Sequence, residues 1–425
     1  MLPIYSDLLK MWSDLGYDLP IKEGKYWLEN NFIQAFTRDG TLRKLWKYKV
    51  FDDLHIEITP YHNKIKFCEG DFETWEETVE RNSERLSALK NESLELIKQV
   101  LNDYADYDKY ILTSTGKDSM VTLDLVHKVD PNIPVVFNNT SLDCADTYRM
   151  VKAHKGWVSN NPPEGFYHWI ERYNFIPQRM SRSCCDVFKE GNGDNYFEKK
   201  NIQRLLMFMG VRNSESNARA NREDLTHSPK WGDKQWYSCL PIRKWSEFDV
   251  WLYTLKHNVE INPKYKKGYS RCGCAIACPF ATKYTWVLDE YWYPKMRERW
   301  KNILNKSFIK NNRWTRMNCT KDEYLKCWNG GLFRPEPTEE VINEFMEYKG
   351  ITDRNVALQY FNKTCCECGK NVRQNDVLAM NLKMNGRNTN KIYCKKCLMK
   401  ELGMSKDEWD NNVADFKAQG CVLFK

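Results

Sequence analysis

The sequence predicts an α/β protein, a parallel sheet with helices on both faces, followed by a small four-cysteine module of zinc-ribbon or treble-clef type. Three observations predict it. Tyr110–Thr113, Ile133–Phe137 and Leu205–Met209 are apolar runs of strand length, each running into a polar loop, with helical patterns between them. The pairs Cys365/Cys368 and Cys394/Cys397 are CxxC knuckles separated by 25 residues, the spacing of a structural four-thiolate metal site. The chain has 425 residues, 42% hydrophobic and 29% charged, which suits two or three globular domains and excludes a disordered or fibrous chain.

Residues 1–80 read as an aromatic, irregular accessory region in which no chemistry is legible. Alternation in Leu54–Ile58 and Lys64–Phe67, with Pro60 to Asn63 between, predicts a small hairpin. From Glu80 to Tyr104 the pattern turns helical, because Leu94, Ile97, Leu101 and Tyr104 share one face. Residues 81–295 form the main domain, opening on a strand-loop-helix unit: Tyr110–Thr113, a polar turn, then an amphipathic run from Ser119 with Val121, Leu125 and Val129 in line. Strands alternating with helices place ligands at the carboxyl ends of the strands. Residues 296–350 read as a basic, Trp-rich helical connector, and 351–425 as the four-cysteine module and tail. No apolar run approaches the roughly 20 residues of a membrane span, and MLPIYSDLLKMWSD lacks a basic start and a long apolar stretch. The expectation is a cytoplasmic protein with no membrane partner.

The first motif with chemistry is Ser114-Thr115-Gly116-Lys117-Asp118-Ser119. Amides of a turn at a helix N-terminus converge on one point with partial positive charge, Gly116 permits close approach, and Lys117 adds a full charge, so the turn suits a phosphate. The spacing is not that of the Walker loop. Arg212 and Arg219, after the strand Leu205–Met209, could hold phosphate or sulfate oxygens bidentately, or could pair with Glu215 and Glu223. The segment STGKDS is similar to the SGGKDS signature of the PP-loop pyrophosphatases, with Thr115 in place of Gly. Val136-Phe137-Asn138-Asn139-Thr140-Ser141, Gly210 to Arg219, and Pro241-Ile242 with Trp245 and Asp249-Val250-Trp251 resemble, in order, motifs of the branch that includes adenylyl-sulfate and phosphoadenylyl-sulfate (PAPS) reductases. The resemblance spans roughly residues 105 to 285. It implies a PP-loop adenine-nucleotide alpha-hydrolase-like fold, an adenine nucleotide (ATP, APS or PAPS) held by Ser114 to Ser119, Asn139, Thr140, Arg212 and Arg219, and catalytic roles for Lys117 and Asp118.

The second constellation is sulfur. Ten of the sixteen cysteines fall in close clusters, and in a reducing compartment close pairs are metal ligands more often than bridges. Cys184-Cys185, with Lys189 four residues on, is followed about ninety residues later by Cys272, Cys274 and Cys278. Two pairs from distant loops can surround either a 4Fe-4S cluster or a zinc ion. The resemblance to the CC...K and R.GC..CP pattern of adenylyl-sulfate reductases implies 4Fe-4S on Cys184, Cys185, Cys274 and Cys278, with Lys189 between cluster and substrate. An extra residue between Cys274 and Cys278 leaves Cys272 as a possible replacement ligand. All seven histidines lie at or before His257, so a metal site in the last third must use sulfur alone, and Cys365, Cys368, Cys394 and Cys397 would hold Zn2+. Against that, Glu367-Cys368-Gly369 resembles the ECG of the reductases' mobile catalytic tail, although over fifty residues follow it here.

Charge suggests a partner. Arg297 to Arg334 carries ten Lys/Arg against three Asp/Glu, interleaved with Trp300, Trp314 and Trp328, and Cys365 to Gly403 carries eight against three. Cations with aromatic faces form a single-strand nucleic-acid footprint, unless the tryptophans face the core. The combined expectation is a sulfur-transfer enzyme that adenylates and thiolates a nucleic acid (DNA or tRNA) with a sulfur or electron donor protein. The alternatives are a sulfonucleotide reductase releasing sulfite, and a non-catalytic Fe-S/zinc nucleic-acid-binding protein.

Overall fold

The computed structural model describes the chain apart from residues 62–68, 180–182, 216–218, 275, 311–318, 330–337, 362, 373, 387–388, 390, 420 and 425. It divides into two units, Met1–Leu304 with Trp328–Gly330, and Asn305–Cys327 with Gly331–Lys425.

The first unit opens on an antiparallel meander: β1 (Leu2–Pro3), β2 (Tyr26–Glu29), β3 (Phe32–Phe36), β4 (Leu42–Val50) and β5 (Ile56–Pro60), with helix α1 (Ser6–Asp14) after β1. Asn30 and Asn31 both take positive φ, 48° and 69°, making the tight turn that joins β2 to β3. The expected hairpin strand Lys64–Phe67 lies outside the described residues, and the partner seen for β5 is β4. The helix expected over 80–104 is two helices, α2 (Trp75–Arg81) and α3 (Ser83–Asp103), separated at Asn82. Thr74 and Glu77 start α2 with a reciprocal capping box.

The second sheet is the predicted one. It contains β6 (Asp108–Thr113), β7 (Val135–Asn138), β8 (Val158–Asn160), β9 (Arg204–Met209), β10 (Leu225–Thr226) and β11 (Gln235–Cys239), in the order β10-β11-β9-β6-β7-β8, parallel except for β10. Ile111, Leu205, Leu206 and Phe208 are fully buried, as expected of strands covered on both faces. The intervening helices are α4 (Lys117–Val129), α5 (Ala145–Ala153), α6 (Phe166–Tyr173), α7 (Asn192–Lys199) and α8 (Glu247–His257), followed by α9 (Pro263–Lys266), α10 (Lys283–Trp292) and α11 (Pro294–Lys310). From β6 the chain builds β7 and β8 on one side, then returns to lay β9 and β11 on the other. The loops after β6 and β9 therefore part at a topological switch point, where a doubly wound sheet leaves its ligand crevice.

Gly210 explains how closely these two loops approach. A Cβ there would lie 2.5 Å from the backbone of Asp118 and Ser119, so the end of β9 sits directly on the first turn of α4.

Trp300 and Trp328 are fully buried and pack edge to face at 5.1 Å. They belong to the core and offer no stacking faces, which corrects the expected nucleic-acid footprint at these two positions. Trp314 lies outside the described residues.

The second unit is helical, with Asn375–Met384, Lys395–Glu401 and Lys406–Ala418 around a core of Val377, Met380, Leu398 and Trp409. A bridge between Thr364 and Asn371 closes the first knuckle, and the second knuckle opens a helix at Cys394.

Candidate nucleotide and sulfur sites

The turn after β6 is knitted from within. Ser119 Oγ donates to the Gly116 carbonyl at 2.9 Å, and the Thr113 hydroxyl accepts from the Thr115 amide at 3.0 Å. Thr115 is fully buried at φ 58°, a left-handed backbone that costs a β-branched residue strain. Asn262 offsets it, since its amide donates to Thr115 Oγ1 at 2.7 Å and to Thr147 Oγ1 at 2.8 Å. Thr115 and Ser119 thus shape the loop from inside, whereas Ser114 is exposed.

The loop's charges are matched in pairs. The Lys117 ammonium, its residue only 5% exposed, lies 3.0 Å from Asp118 Oδ2 and 3.1 Å from Glu247 Oε1. Arg212, buried after β9, donates through Nε to the other oxygen of Asp118 and through Nη1 to Ser214 Oγ at 3.0 Å. Two cations from the two sides of the switch point therefore meet on one carboxylate. Burial would raise the Glu247 carboxyl, but Lys117 and the Met1 ammonium hold it below its usual value. Sequence reasoning missed Glu247, which stands at the first position of α8 beside the recognised Asp249-Val250-Trp251. Arg219 pairs with Glu215, one of the two partners foreseen for it.

Asn139 and Thr140 are tied to their neighbours. Asn139 Oδ1 accepts from the Ser141 amide and the Tyr148 hydroxyl, while the Thr140 hydroxyl donates to Asp143 at 2.9 Å. Nearby, Asn138 Oδ1 accepts from Asn160 at 2.9 Å and from Asn192 at 2.8 Å, and its amide donates to the Lys189 carbonyl at 2.5 Å. These asparagines pin the Cys184-to-Lys189 segment, a wide helical turn over Cys185–Gly191, above the ends of β7 and β8. Residue types that recur on every surface gave no warning of this.

The first cysteine set converges. Cys184 is buried, and its thiol is pushed far up by its hydrogen bond with Cys185, by burial, and by Cys185, Cys274 and Cys278. Burial pushes Cys274 up to about 12, with Cys278 and Asp143 adding to it and Lys189 opposing. Cys185, Cys274 and Cys278 thus lie near Cys184, and the exposed Lys189 acts on Cys274; among the described residues the group compact enough for one metal ion is the C-terminal one. The second loop is strained, with Cys274 at φ 43° and Ile276 at 61°, as backbone at functional sites often is. Cys272 faces elsewhere. Its Sγ donates to the Ser114 carbonyl at 3.5 Å and lies 3.3 Å from where a Cβ on Gly116 would be. It leans on the nucleotide loop, two residues from Cys274.

The second set is closed. Sγ atoms of Cys365, Cys368, Cys394 and Cys397 all lie within 4.8 Å of one another, with Cys368 and Cys394 3.6 Å apart. Tetrahedral zinc with bonds of about 2.3 Å needs sulfurs about 3.8 Å apart, so the donor set fits that ion. Burial would raise the Cys365 thiol, but backbone hydrogen bonds from Cys394, Cys368 and Glu367 bring it down to about 7, favouring a thiolate. Asn381, fully buried, donates to the Tyr393 carbonyl and accepts from the Tyr393 amide, both at 2.8 Å. It fixes the second knuckle to helix Asn375–Met384.

A doubly wound sheet with two cations and a glycine turn at its switch point is an arrangement that suits a phosphate-bearing ligand. Residues 109–279 match the phosphoadenosine phosphosulfate reductase domain, the family whose motifs the sequence resembles. Two uncharacterized proteins of Methanocaldococcus jannaschii are similar to it. One is 32% identical over 220 residues, 50% of this chain and 45% of that protein; the other is 30% identical over 242 residues, 55% of this chain and 57% of that protein. The chain spans about half the length of these relatives. An adenosine 5'-phosphosulfate reductase of Halalkalibacterium halodurans is 25% identical over 195 residues, 44% of this chain and 80% of that enzyme. Among the described residues no helix is long and apolar enough to cross a membrane.

Proposed function

We propose that the protein is an ATP pyrophosphatase and sulfurtransferase that adenylates a nucleic acid and then replaces AMP with sulfur. The observation that carries this reading is the buried Lys117, held with Arg212 at the switch point by Asp118. A cation beside a departing pyrophosphate lowers that barrier, whereas a sulfonucleotide has no such leaving group. An acceptor oxygen attacks the alpha phosphorus, the bond to pyrophosphate breaks, and Lys117 and Arg212 take up the charge of the leaving group. A sulfur nucleophile then displaces AMP from the activated acceptor. Cys184, Cys185, Cys274 and Cys278 would hold a 4Fe-4S cluster, which when bound supplies a place for sulfur or electrons, and Lys189 would balance charge beside it. Cys365, Cys368, Cys394 and Cys397 would hold a structural zinc.

A second reading is favoured by the domain shared with adenosine 5'-phosphosulfate reductases. Here a thiolate attacks the sulfur of APS or PAPS and releases the nucleotide, and electrons from a donor protein then free sulfite. The products decide. Pyrophosphate and AMP from ATP indicate adenylation, and sulfite from APS or PAPS with a thiol donor indicates reduction. Lys117→Ala should cut the ATP reaction at least about 100-fold with fold and metal content unchanged, and activity surviving within a few-fold would end the pyrophosphatase reading.

A further inference from the structure

The accessory meander presents a face that the proposed chemistry leaves unused. Strand β4 reads Leu-Arg-Lys-Leu-Trp-Lys-Tyr-Lys-Val, four cations and no acid. Leu45 and Tyr48 turn inward, with Tyr48 packed on Tyr284, while Arg43, Lys44, Lys47 and Lys49 are exposed. A register shift opposite Ile33/Gln34 lets Lys44 and Lys47 share the outer face. Both lie over the Phe32 ring, at 4.2 and 5.7 Å, and Lys49 lies 4.2 Å over Phe51. Phe32 in turn meets the edge of Tyr61, which is 39% exposed, at 4.8 Å.

Nearby acids are engaged: Asp39 holds Thr37 and the Thr41 amide and lies within the field of Arg43, Asp52 pairs with Lys283, and Asp53 accepts from the His55 amide. Glu57 stands opposite Lys49 in register. Among the described residues, none of the four β4 cations is in an ion pair with a carboxylate. Such a face retains its charge for a partner, and aromatic rings set among cations favour bases over a purely anionic chain.

We infer that the outer face of β3, β4 and β5 docks a single-stranded segment of nucleic acid, with phosphates on Lys44, Lys47 and Lys49 and a base against Phe32 and Tyr61. The inference deepens the nucleic-acid reading above and rests on it. It moves the docking surface away from Trp300 and Trp328, which are buried.

The test measures binding of labelled oligothymidylate to the full chain across a salt series, with the matched duplex and polyglutamate as competitors. Lys44→Glu/Lys47→Glu/Lys49→Glu should weaken binding roughly tenfold or more and reduce the salt slope by about two. Phe32→Ala/Tyr61→Ala should weaken binding to the single strand with the slope unchanged. Lys47→Gln/Lys49→Gln, confined to exposed positions, gives a smaller loss of the same sign if the triple variant does not fold. Wild-type binding with variant affinities within twofold overturns the surface and leaves the nucleic-acid reading standing. Polyglutamate or duplex competing as well as the single strand also overturns it. A wild type that binds no nucleic acid overturns both.

Discussion

At the scale of single residues, the loop after β6 is shaped by compromises that make opposed demands. Thr115 occupies a left-handed position where glycine is the unstrained choice, and its hydroxyl is held by Asn262 at 2.7 Å. Thr115→Gly relieves about 1–2 kcal/mol of strain and loses a hydrogen bond of about 1 kcal/mol, so its stability should stay within about 1 kcal/mol of wild type. Thr115→Ala keeps the strain and loses the bond, and should be the less stable of the two by denaturant unfolding. The usual order of alanine and glycine is thereby reversed. Glu247 gives a pH signature. Its folded pKa is depressed, so its contribution to stability is full above the usual carboxylate range and is lost as pH falls through the depressed value. Glu247→Gln should lower the melting temperature at neutral pH by about 2 °C, and this gap should close on acidification below the usual range. Because Gln no longer holds the Lys117 ammonium, nucleotide should bind the variant a few-fold more tightly at neutral pH. An unchanged gap between pH 7 and pH 3 would show that the pair contributes nothing.

At the scale of elements, two devices decide what each motif can do. The close seat of β9 on α4 brings Arg212 to Asp118, and Gly210 makes that seat possible. In the second unit, a knuckle closed by the Thr364–Asn371 bridge meets one that opens a helix, and four sulfurs converge. If those sulfurs close one tetrahedron, Cys365→Ser, Cys368→Ser, Cys394→Ser and Cys397→Ser should each release the same zinc and loosen the same module. Metal analysis with limited proteolysis reads both effects. A selective loss of sulfur chemistry in Cys368→Ser, with zinc retained by all four variants, would make Cys368 a mobile catalytic thiol instead.

At the scale of the whole molecule, the two sulfur sets differ in geometry. One spans a wide helical turn and a strained loop, and the other closes tightly in the second unit. Protein purified without oxygen should be brown, with about four irons and one zinc per chain, and Cys184→Ser or Cys185→Ser should bleach the colour while sparing the zinc. Iron-free wild type would remove the cluster assignment. The chain by itself determined the strand runs, the glycine turn, the arginines and both cysteine groupings, because apolar period and ligand spacing are local properties. Glu247, Asn262 and the trio Asn138, Asn160 and Asn192 were invisible, since each acts on a partner far away in sequence. Burial decided the fate of Trp300 and Trp328, and a strand register decided which lysines share a face with Phe32. Those outcomes depend on which surfaces the fold brings together, and only the tertiary structure sets that.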